Sequence, residues 1–340
     1  MVNDDHGACG GSDLMKQGSI IKQESEHVSL TTIILTFNEH LHIRRCIENV
    51  RRVASHVVVV DSGSTDDTVS IARSLGAVVF TNQWINHAVQ FNWALDHADI
   101  NTEWVMRLDA DEYLDEILLN KLTTKLAEAP KEITAFEVKR PTTFLGKRIS
   151  HGGMSPWLLR FWRRGTARCE PRWMDEHMAM VHGGAIRRLP GYLVDDNLNG
   201  LTWWANKHNR YASREALDYL LSLHDAANRN ASNPPVVVGQ ARRKRLLKTN
   251  MYYRLPLGLR PWVYWAWRMF VRGGVLDGYR GIMFHTLQGL WYRQLVDGKI
   301  MQVNWLMQRQ GADFDDAVRQ CLAIDLDGML GPAQTQSRDI

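Results

Sequence analysis

The residues with the most obvious capacity for chemistry are Asp109, Asp111 and Glu112. They lie in the stretch Glu103-Trp-Val-Met-Arg-Leu-Asp-Ala-Asp-Glu-Tyr113. Three carboxylates within four positions repel one another, and something cationic normally offsets that cost. Hard divalent ions such as Mg2+ or Mn2+ take oxygen ligands and often keep substrate phosphates in their shell. The cluster therefore points to metal-assisted chemistry on a phosphorylated substrate. The apolar run from Trp104 to Leu108 reads as a strand that carries the acids to its end, and within a strand Asp109 and Asp111 would face one side. The competing reading is a solvated acidic turn that starts a helix at Asp115, because acids favour helix N-termini. The upstream sequence favours the first.

The elements that must position these residues alternate. Val28 to Phe37 is a β-branched run that reads as a buried strand, and a helix is predicted from about Glu39 to Arg52 with Ile43, Ile47 and Val50 on one face. His56 to Val60 is the next strand, ending in Asp61-Ser-Gly-Ser-Thr-Asp-Asp-Thr68. There Ser64 and Asp67 have capping-box spacing for a helix reaching Leu75. A third strand is predicted over 77–80, a helix over His87 to His97, and the acid-bearing strand over 104–108. Strands and helices joined by short connections argue for a parallel sheet covered on both faces. Ligands on such sheets bind at the carboxyl ends of the strands, where both Asp61 and the acidic cluster fall. No G-x-G-x-x-G follows the first strand, which instead ends in Thr36-Phe37-Asn38-Glu39, and no P-loop is present.

After a helix from Asp115 to Glu128 the pattern changes. Ile133 to Arg140, Thr143 to Ile149 and Trp157 to Arg163 read as strands of mixed periodicity, consistent with a smaller antiparallel layer. A long helix is predicted from Leu201 to about Ala227, with Trp204, Tyr211, Leu220 and Leu223 as buried candidates.

Domain bounds follow from composition: a polar leader over 1–27 that reads as disordered, a catalytic unit over 28–229, a Pro-Pro linker over 230–240, a basic helical region over 241–330, and a tail over 331–340. From Arg242 to Lys299 the chain holds 12 Lys and Arg against Asp277 and Asp297. That segment carries +10 and leaves −6 for the rest of a chain whose net charge is +4. All 13 tryptophans lie from Trp84 onward, many of them in this basic region. Tryptophans among arginines fit a monotopic contact with anionic lipid better than a nucleic-acid surface. Tyr279, Met283, Leu287 and Leu290 are alternatively placed to pack on the catalytic unit. Four scattered cysteines without C-x-x-C spacing suggest neither a zinc site nor a disulfide scaffold, so a reducing cytoplasm is expected. No signal peptide is recognisable, and no apolar window is long enough for a spanning helix.

Taken together, Thr36-Phe-Asn-Glu39, Asp61-Ser-Gly-Ser-Thr-Asp-Asp-Thr68 and Arg107-Leu-Asp-Ala-Asp-Glu112 resemble the family 2 inverting glycosyltransferases over about Ser29 to Gly200. Trp204-Ala-Asn-Lys-His-Asn-Arg-Tyr-Ala-Ser-Arg-Glu-Ala216 and the Trp-rich tail look like the subgroup that builds bacterial lipopolysaccharide core and exopolysaccharide, including the WaaE-type glucosyltransferases. The resemblance implies a GT-A fold, a mostly parallel α/β sheet with a helical C-terminal region, acting on a UDP-sugar. By position, Thr36, Phe37 and Glu39 would contact the nucleoside, and Asp61 would accept a hydrogen bond from the uracil imide. Gln90 and Asn92 would lie near the diphosphate or donor sugar. Arg107 and Asp109 would lie on the nucleotide-sugar, and Asp111, with Asp109, would hold Mn2+ or Mg2+. The family places its base, an acidic residue, beyond these acids. Here the candidates are Asp175 and Glu176, with Glu176 matching the subgroup's His-Glu pattern better.

The expected activity is transfer of a hexose to a lipid-linked saccharide by a peripheral enzyme on the cytoplasmic face of the inner membrane, held there by anionic lipids. A sugar-nucleotide pyrophosphorylase would share the sheet and metal carboxylates, but Thr36 to His40 lacks its Gly-rich basic loop. A membrane-bound nucleotide-sugar sensor or scaffold is the non-enzyme alternative.

Overall fold

The computed structural model describes residues 29–170, 177–228, 252 and 254–326. The expected leader, the linker over 230–240, Arg242 to Arg245, the terminal tail, and both base candidates, Asp175 and Glu176, lie outside the described residues.

Strands β1 (Leu30–Thr36), β2 (His56–Asp61), β3 (Val78–Thr81) and β4 (Trp104–Asp109) run parallel in the order β3-β2-β1-β4. Alternate side chains of these strands feed two cores. Ile34, Val59, Met106 and Leu108 pack under helices α1 (Ile43–Val50), α2 (Thr68–Ser74) and α4 (Glu116–Ala127). Ile33, Val58, Val60 and Val105 pack on the other face against Ala88, Phe91 and Ala94 of α3 (His87–His97). The sheet is therefore covered on both faces, which is why β1 and β2 lack a polar side.

Beyond β4, the antiparallel strands expected after α4 form and join the same sheet. β9 (Trp157–Arg163) runs antiparallel to both β4 and β6 (Ile133–Lys139), and β12 (Ala185–Asp195) runs parallel to β6. Short β5 (Glu112–Leu114) pairs with β12, and β10 (Ala167–Cys169) and β11 (Met178–Met180) form a separate hairpin.

Two local expectations are corrected. The single strand over 143–149 is a hairpin, β7 (Thr142–Phe144) and β8 (Lys147–Ile149), because Leu145 and Gly146 both adopt positive φ at a two-residue turn. The capping box at Ser64 does not form. Ser64 donates its hydroxyl to Asp61, and α2 starts later, at Thr68.

The C-terminal part is helical: α5 (Leu201–Asn228), α6 (Arg260–Ala266), α7 (Gly278–His285), α8 (Tyr292–Gln310) and α9 (Phe314–Leu322). A wide π-type turn, Trp267–Val271, continues α6, and a second, Thr286–Trp291, joins α7 to α8. Ala212, Ala216, Leu217 and Leu220 of α5 share a core with Val296, Ile300 and Val303 of α8 and Val318 of α9. Leu220 is buried as expected, whereas Leu223 is exposed. Tyr279 and Met283 are likewise exposed, while Leu290 is buried and Leu287 packs beside Phe144 and Phe284.

Candidate active site

Strand register brings the candidate residues together. Thr36 lies opposite Asp61, and Leu35 opposite Asp109. The segments that follow, at Phe37, Ser62 and Ala110, therefore leave the sheet side by side at its carboxyl edge.

The first two loops are laced to each other. Asn38, at φ 55°, donates its backbone N–H to Ser64 Oγ at 2.8 Å, and its side-chain oxygen accepts from the Thr65 N–H at 2.9 Å. The Glu39 N–H donates to Thr68 Oγ1 at 2.7 Å. Asp61 is buried beneath this junction. Its Oδ1 accepts from the Thr36 and Ser64 hydroxyls at 2.9 and 2.5 Å, and its Oδ2 from the Gly63 and Ser64 N–H groups at 2.9 and 2.7 Å. Four donors occupy about all the lone-pair sites a carboxylate has. Asp61 thus builds the turn, and Thr36 is spent on it. Phe37, 58% exposed, presents its ring at the rim, where an aromatic face can stack on a planar base.

Glu39 Oε2 accepts from His42 Nδ1 at 2.6 Å, while His42 Nε2 accepts from the Leu198 N–H at 2.8 Å. The second bond fixes the tautomer, with the proton on Nδ1. The imidazole therefore ties the first loop to the segment before α5.

Gln90 and Asn92 both serve as clamps. Gln90 donates to Ser62 Oγ and the Asn82 carbonyl, each at 3.1 Å, and accepts from Asn82 Nδ2 at 2.7 Å. Asn92 exchanges two 2.9 Å bonds with the Cys169 backbone. Arg107 reaches Cys169 Sγ at 3.7 Å. The β10–β11 hairpin, whose connection contains Asp175 and Glu176, is therefore anchored two residues from Asp109 in sequence.

The three acids have different environments. β4 ends at Asp109, so Asp111 lies in the following turn rather than in the strand. Glu112 has no solvent contact. Its Oε1 accepts from Arg140 Nε at 2.5 Å and Arg160 at 2.8 Å, and its Oε2 from the Asp109 N–H at 3.0 Å. Arg140 continues to Asp195 at 2.7 Å. Asp109 lies 3.2 Å from Arg160 and 3.5 Å from Arg107. Burial opposes its ionisation, but Arg160, Arg107 and Arg140 outweigh that and hold its carboxyl well below the usual range. Burial, with Asp109 close by, pushes Glu112 up to about 7 against the pull of the same arginines. Much of the expected cationic offset is thus supplied by guanidinium groups.

Asp111 is the remaining member. Its Oδ2 accepts from Asn197 Nδ2 at 2.9 Å, its backbone carbonyl accepts from the Asp196 N–H at 3.0 Å, and no bond to its Oδ1 occurs among the described residues. A hard, partly exposed oxygen beside a strand end fits a divalent ion. No group of three metal-ligating side chains occurs among the described residues, so phosphate oxygens and water would complete the shell, the usual habit of Mg2+. A cavity of about 520 Å3 lined by Leu95, Asp99, Val105 and Arg164 lies at the opposite end of β4, away from these acids.

Lys207 of α5 escaped the sequence reading. Its ammonium lies 4.6 Å from the Trp203 ring centre and 5.8 Å from that of Tyr211. Burial would discharge it, but Tyr211 and the carboxylates of Asp111, Glu39 and Asp195 raise its pKa above the ordinary value. The sequence signal was the i, i+4, i+8 spacing of Trp203, Lys207 and Tyr211, which puts them on one helix face. Arg140 and Arg160 were also missed, since only the folded sheet brings them to Glu112.

Residues 31–190 match the family Glycosyl transferase family 2. An uncharacterized glycosyltransferase of Rickettsia typhi is 34% identical over 122 residues, covering 36% of this chain and 41% of that protein. The lipopolysaccharide core biosynthesis glycosyltransferase LpsC of Rhizobium meliloti is also 34% identical over 122 residues, covering 34% of this chain and 44% of LpsC. The chain thus spans less than half the length of these curated relatives. Among solved structures, glucosyl-3-phosphoglycerate synthase from Mycobacterium tuberculosis, in complex with Mn2+ and UDP-glucose, superposes with a TM-score of 0.36 at 16% identity, covering 52% of this chain and 74% of that one.

Proposed function

The chain carries a glycosyl transferase family 2 domain over residues 31–190, and on that premise we propose that it moves a hexose from a UDP-sugar to a lipid-linked saccharide, with inversion, in the synthesis of a bacterial surface polysaccharide. The observation that carries the reading is Asp111, left open at the carboxyl edge of a parallel sheet while Asp109 and Glu112 are compensated by arginines. The relative named for lipopolysaccharide core biosynthesis supports the acceptor class.

In this reading Phe37 stacks on the base and the loop built on Asp61 forms the floor of the nucleoside site. Asp111 holds Mn2+ or Mg2+. Such an ion, when bound, neutralises charge that develops on the departing diphosphate. Lys207 adds a second positive charge from α5, and the aromatic faces of Trp203 and Tyr211 steady it without consuming its N–H donors. Asp109, kept ionised by its arginines, orients the donor sugar. Glu176, or Asp175, takes the proton from the acceptor hydroxyl. The membrane reading places the enzyme on the cytoplasmic face of the inner membrane, where a lipid-linked acceptor is available.

A donor screen tests this. Purified protein with Mn2+ is mixed with a panel of UDP-sugars, and both hydrolysis and thermal protection are measured. One UDP-sugar should protect and be slowly hydrolysed, only with metal present. Absence of protection by any UDP-sugar, or equal protection with chelator, would overturn the reading.

A further inference from the structure

The helical C-terminal region contains an exposed apolar tip. Where α6 and its π-type continuation turn back into α7, Phe270, Val271, Leu276 and Tyr279 are 68%, 72%, 70% and 73% exposed, and Val275 is 43% exposed. Trp262 and Trp267, on the same segment, are 52% and 44% exposed. Side chains this large and apolar, gathered at one turn, form the kind of surface that folded proteins reserve for an interface.

Charge identifies the occupant. From Arg254 to Gln310 the only acidic residues are Asp277 and Asp297, and both are buried. Asp297 pairs with buried Arg260 at 2.5 Å. Asp277 is consumed inside the hairpin. Its oxygens accept from the Ser150 N–H at 3.1 Å, the His151 N–H at 3.0 Å, His151 Nδ1 at 2.8 Å and His285 Nε2 at 3.3 Å. The exposed charge around the tip is therefore cationic: Arg272 lies against the Trp267 ring and Arg280 against Tyr279. Exposed apolar side chains, indoles and guanidinium groups gathered in one segment are the three kinds of group that a lipid surface accommodates, in its acyl chains, carbonyl zone and phosphate layer. No helix among the described residues is long and apolar enough to cross a membrane.

We infer that this hairpin tip inserts into one leaflet of an anionic bilayer, with Phe270, Val271, Leu276 and Tyr279 as the inserted groups. The seat is rigid. Lys147 donates to the Asp277 carbonyl at 2.5 Å, Gly152 N–H donates to the Arg272 carbonyl at 3.0 Å, and Phe144 packs on Phe284. These contacts come from the β7–β8 hairpin and the turn that follows it. Its first residue, Thr142, donates to Asp195, which also pairs with Arg140, the partner of Glu112. Insertion therefore fixes the orientation of the sheet edge to the lipid, which is where a lipid-linked acceptor must present its sugar. That purpose rests on the proposed transfer, but the insertion itself does not.

The mechanism differs from adhesion through the basic run at Arg242 to Arg245, because apolar insertion survives high salt and ion pairing does not. The test is vesicle co-sedimentation of the full chain with phosphatidylcholine alone and mixed with phosphatidylglycerol, at low and high salt. Wild type should bind both, more tightly with phosphatidylglycerol, and retain binding in high salt. Phe270→Asp/Leu276→Asp should lose at least about tenfold in affinity for both vesicles. A melting curve unchanged from wild type shows that it is folded, as expected for exposed sites. Phe270→Leu/Leu276→Phe should keep wild-type binding. Undiminished binding by the Asp variant, binding that vanishes in salt, or a tip that instead mediates self-association broken by the same variant would overturn the inference. Vesicle binding needs no donor, so failure here and failure of the UDP-sugar screen are separate results.

Discussion

Arginines hold carboxylates in two regions of the molecule, and the two arrangements differ in what they leave over. At the sheet edge, Arg107, Arg140 and Arg160 are distributed over Asp109, Glu112 and Asp195. Asp111, in the adjoining turn, is outside that set. Among the helices, Arg260 meets Asp297, Arg293 meets Glu215 and two imidazoles meet Asp277. The hairpin's own acids are all consumed, and what faces solvent is apolar or cationic. The same pairing chemistry thus leaves a carboxylate oxygen unbonded at one surface, as the proposed metal role requires, and apolar and cationic groups exposed at the other, as the proposed lipid contact requires. A cluster of charges is informative chiefly through the member its neighbours do not satisfy.

Paired variants at the sheet edge test that comparison most severely. Asp111→Ala should reduce transfer by roughly 10²-fold or more, by loss of charge stabilisation, and should remove metal-dependent UDP binding. Its cost in stability should be about 1 kcal/mol or less, one hydrogen bond from Asn197. Glu112→Ala should do the reverse in stability, since it removes the fully buried carboxylate that Arg140 and Arg160 share and leaves them only Asp195 and Asp109, at a cost of about 3–5 kcal/mol. Denaturant melts beside calorimetry with Mn2+ and UDP decide it. Unchanged Mn2+·UDP affinity in Asp111→Ala would remove the metal role.

The next largest effect concerns the base. Glu176→Gln should lower turnover by roughly 10²-fold or more while donor affinity barely moves, because the base serves the acceptor. Single-turnover kinetics with saturating donor would show it, and an active Glu176→Gln beside a crippled Asp175→Asn would exchange their roles.

A smaller effect separates scaffold from contact at the nucleoside floor. If Asp61 reads the base as well as building the turn, Asp61→Ala should weaken UDP binding by about 1.5–3 kcal/mol, the usual worth of a charged hydrogen bond. If it only holds Ser64, Ser64→Ala should weaken binding as much as Asp61→Ala. Equal UDP affinity in wild type and both variants would mean that the loop contributes nothing to recognition.

Much of this edge was legible from sequence because its signals are local. The β-branched run of β1, the Asn86-capped helix that follows Ile85, and the acids after Leu108 each declare themselves within a few residues. β12 did not. Its run Ala185-Ile-Arg-Arg-Leu-Pro-Gly-Tyr-Leu-Val-Asp195 contains proline, two arginines and a glycine at φ 85°, and its register with β6 shifts between Arg188 and Tyr192. Such a strand has no clean period. Arg140 and Arg160 were invisible for another reason: their partners are distant in sequence, and charge neutrality is balanced in space. In the helical region the composition suggested lipid contact through arginines and tryptophans; Arg260 and Arg268 are buried there, and the most exposed large apolar groups are Phe270, Val271, Leu276 and Tyr279.

The smallest effect probes the helical side of the comparison by pH. His285 is fully buried, with Nε2 on Asp277 and Nδ1 without a partner among the described residues. Burial, then nearby Arg268, lowers its pKa below the ordinary value. In the unfolded chain this imidazole takes up its proton near pH 6.5, whereas the folded chain resists until lower pH. The unfolded state therefore binds more protons in between, and stability falls as pH drops from about 7 through 6.5 toward the folded value. Asp277 has the opposite chemistry and a lower window. Burial works against its ionisation, but bonds from His151, Ser150 and His285 prevail, so its pKa is depressed. Its contribution is complete above the ordinary aspartate range near pH 4 and is lost only below it. Between about pH 5 and 7 Asp277 thus adds no slope, whereas His285 does. Chemical denaturation at about pH 7.5 and 5.5 should show a larger loss for wild type than for His285→Gln, which keeps a donor for Asp277 but cannot titrate. Parallel losses in the two proteins would mean that the imidazole stays neutral throughout and that the hairpin clamp is insensitive to acid.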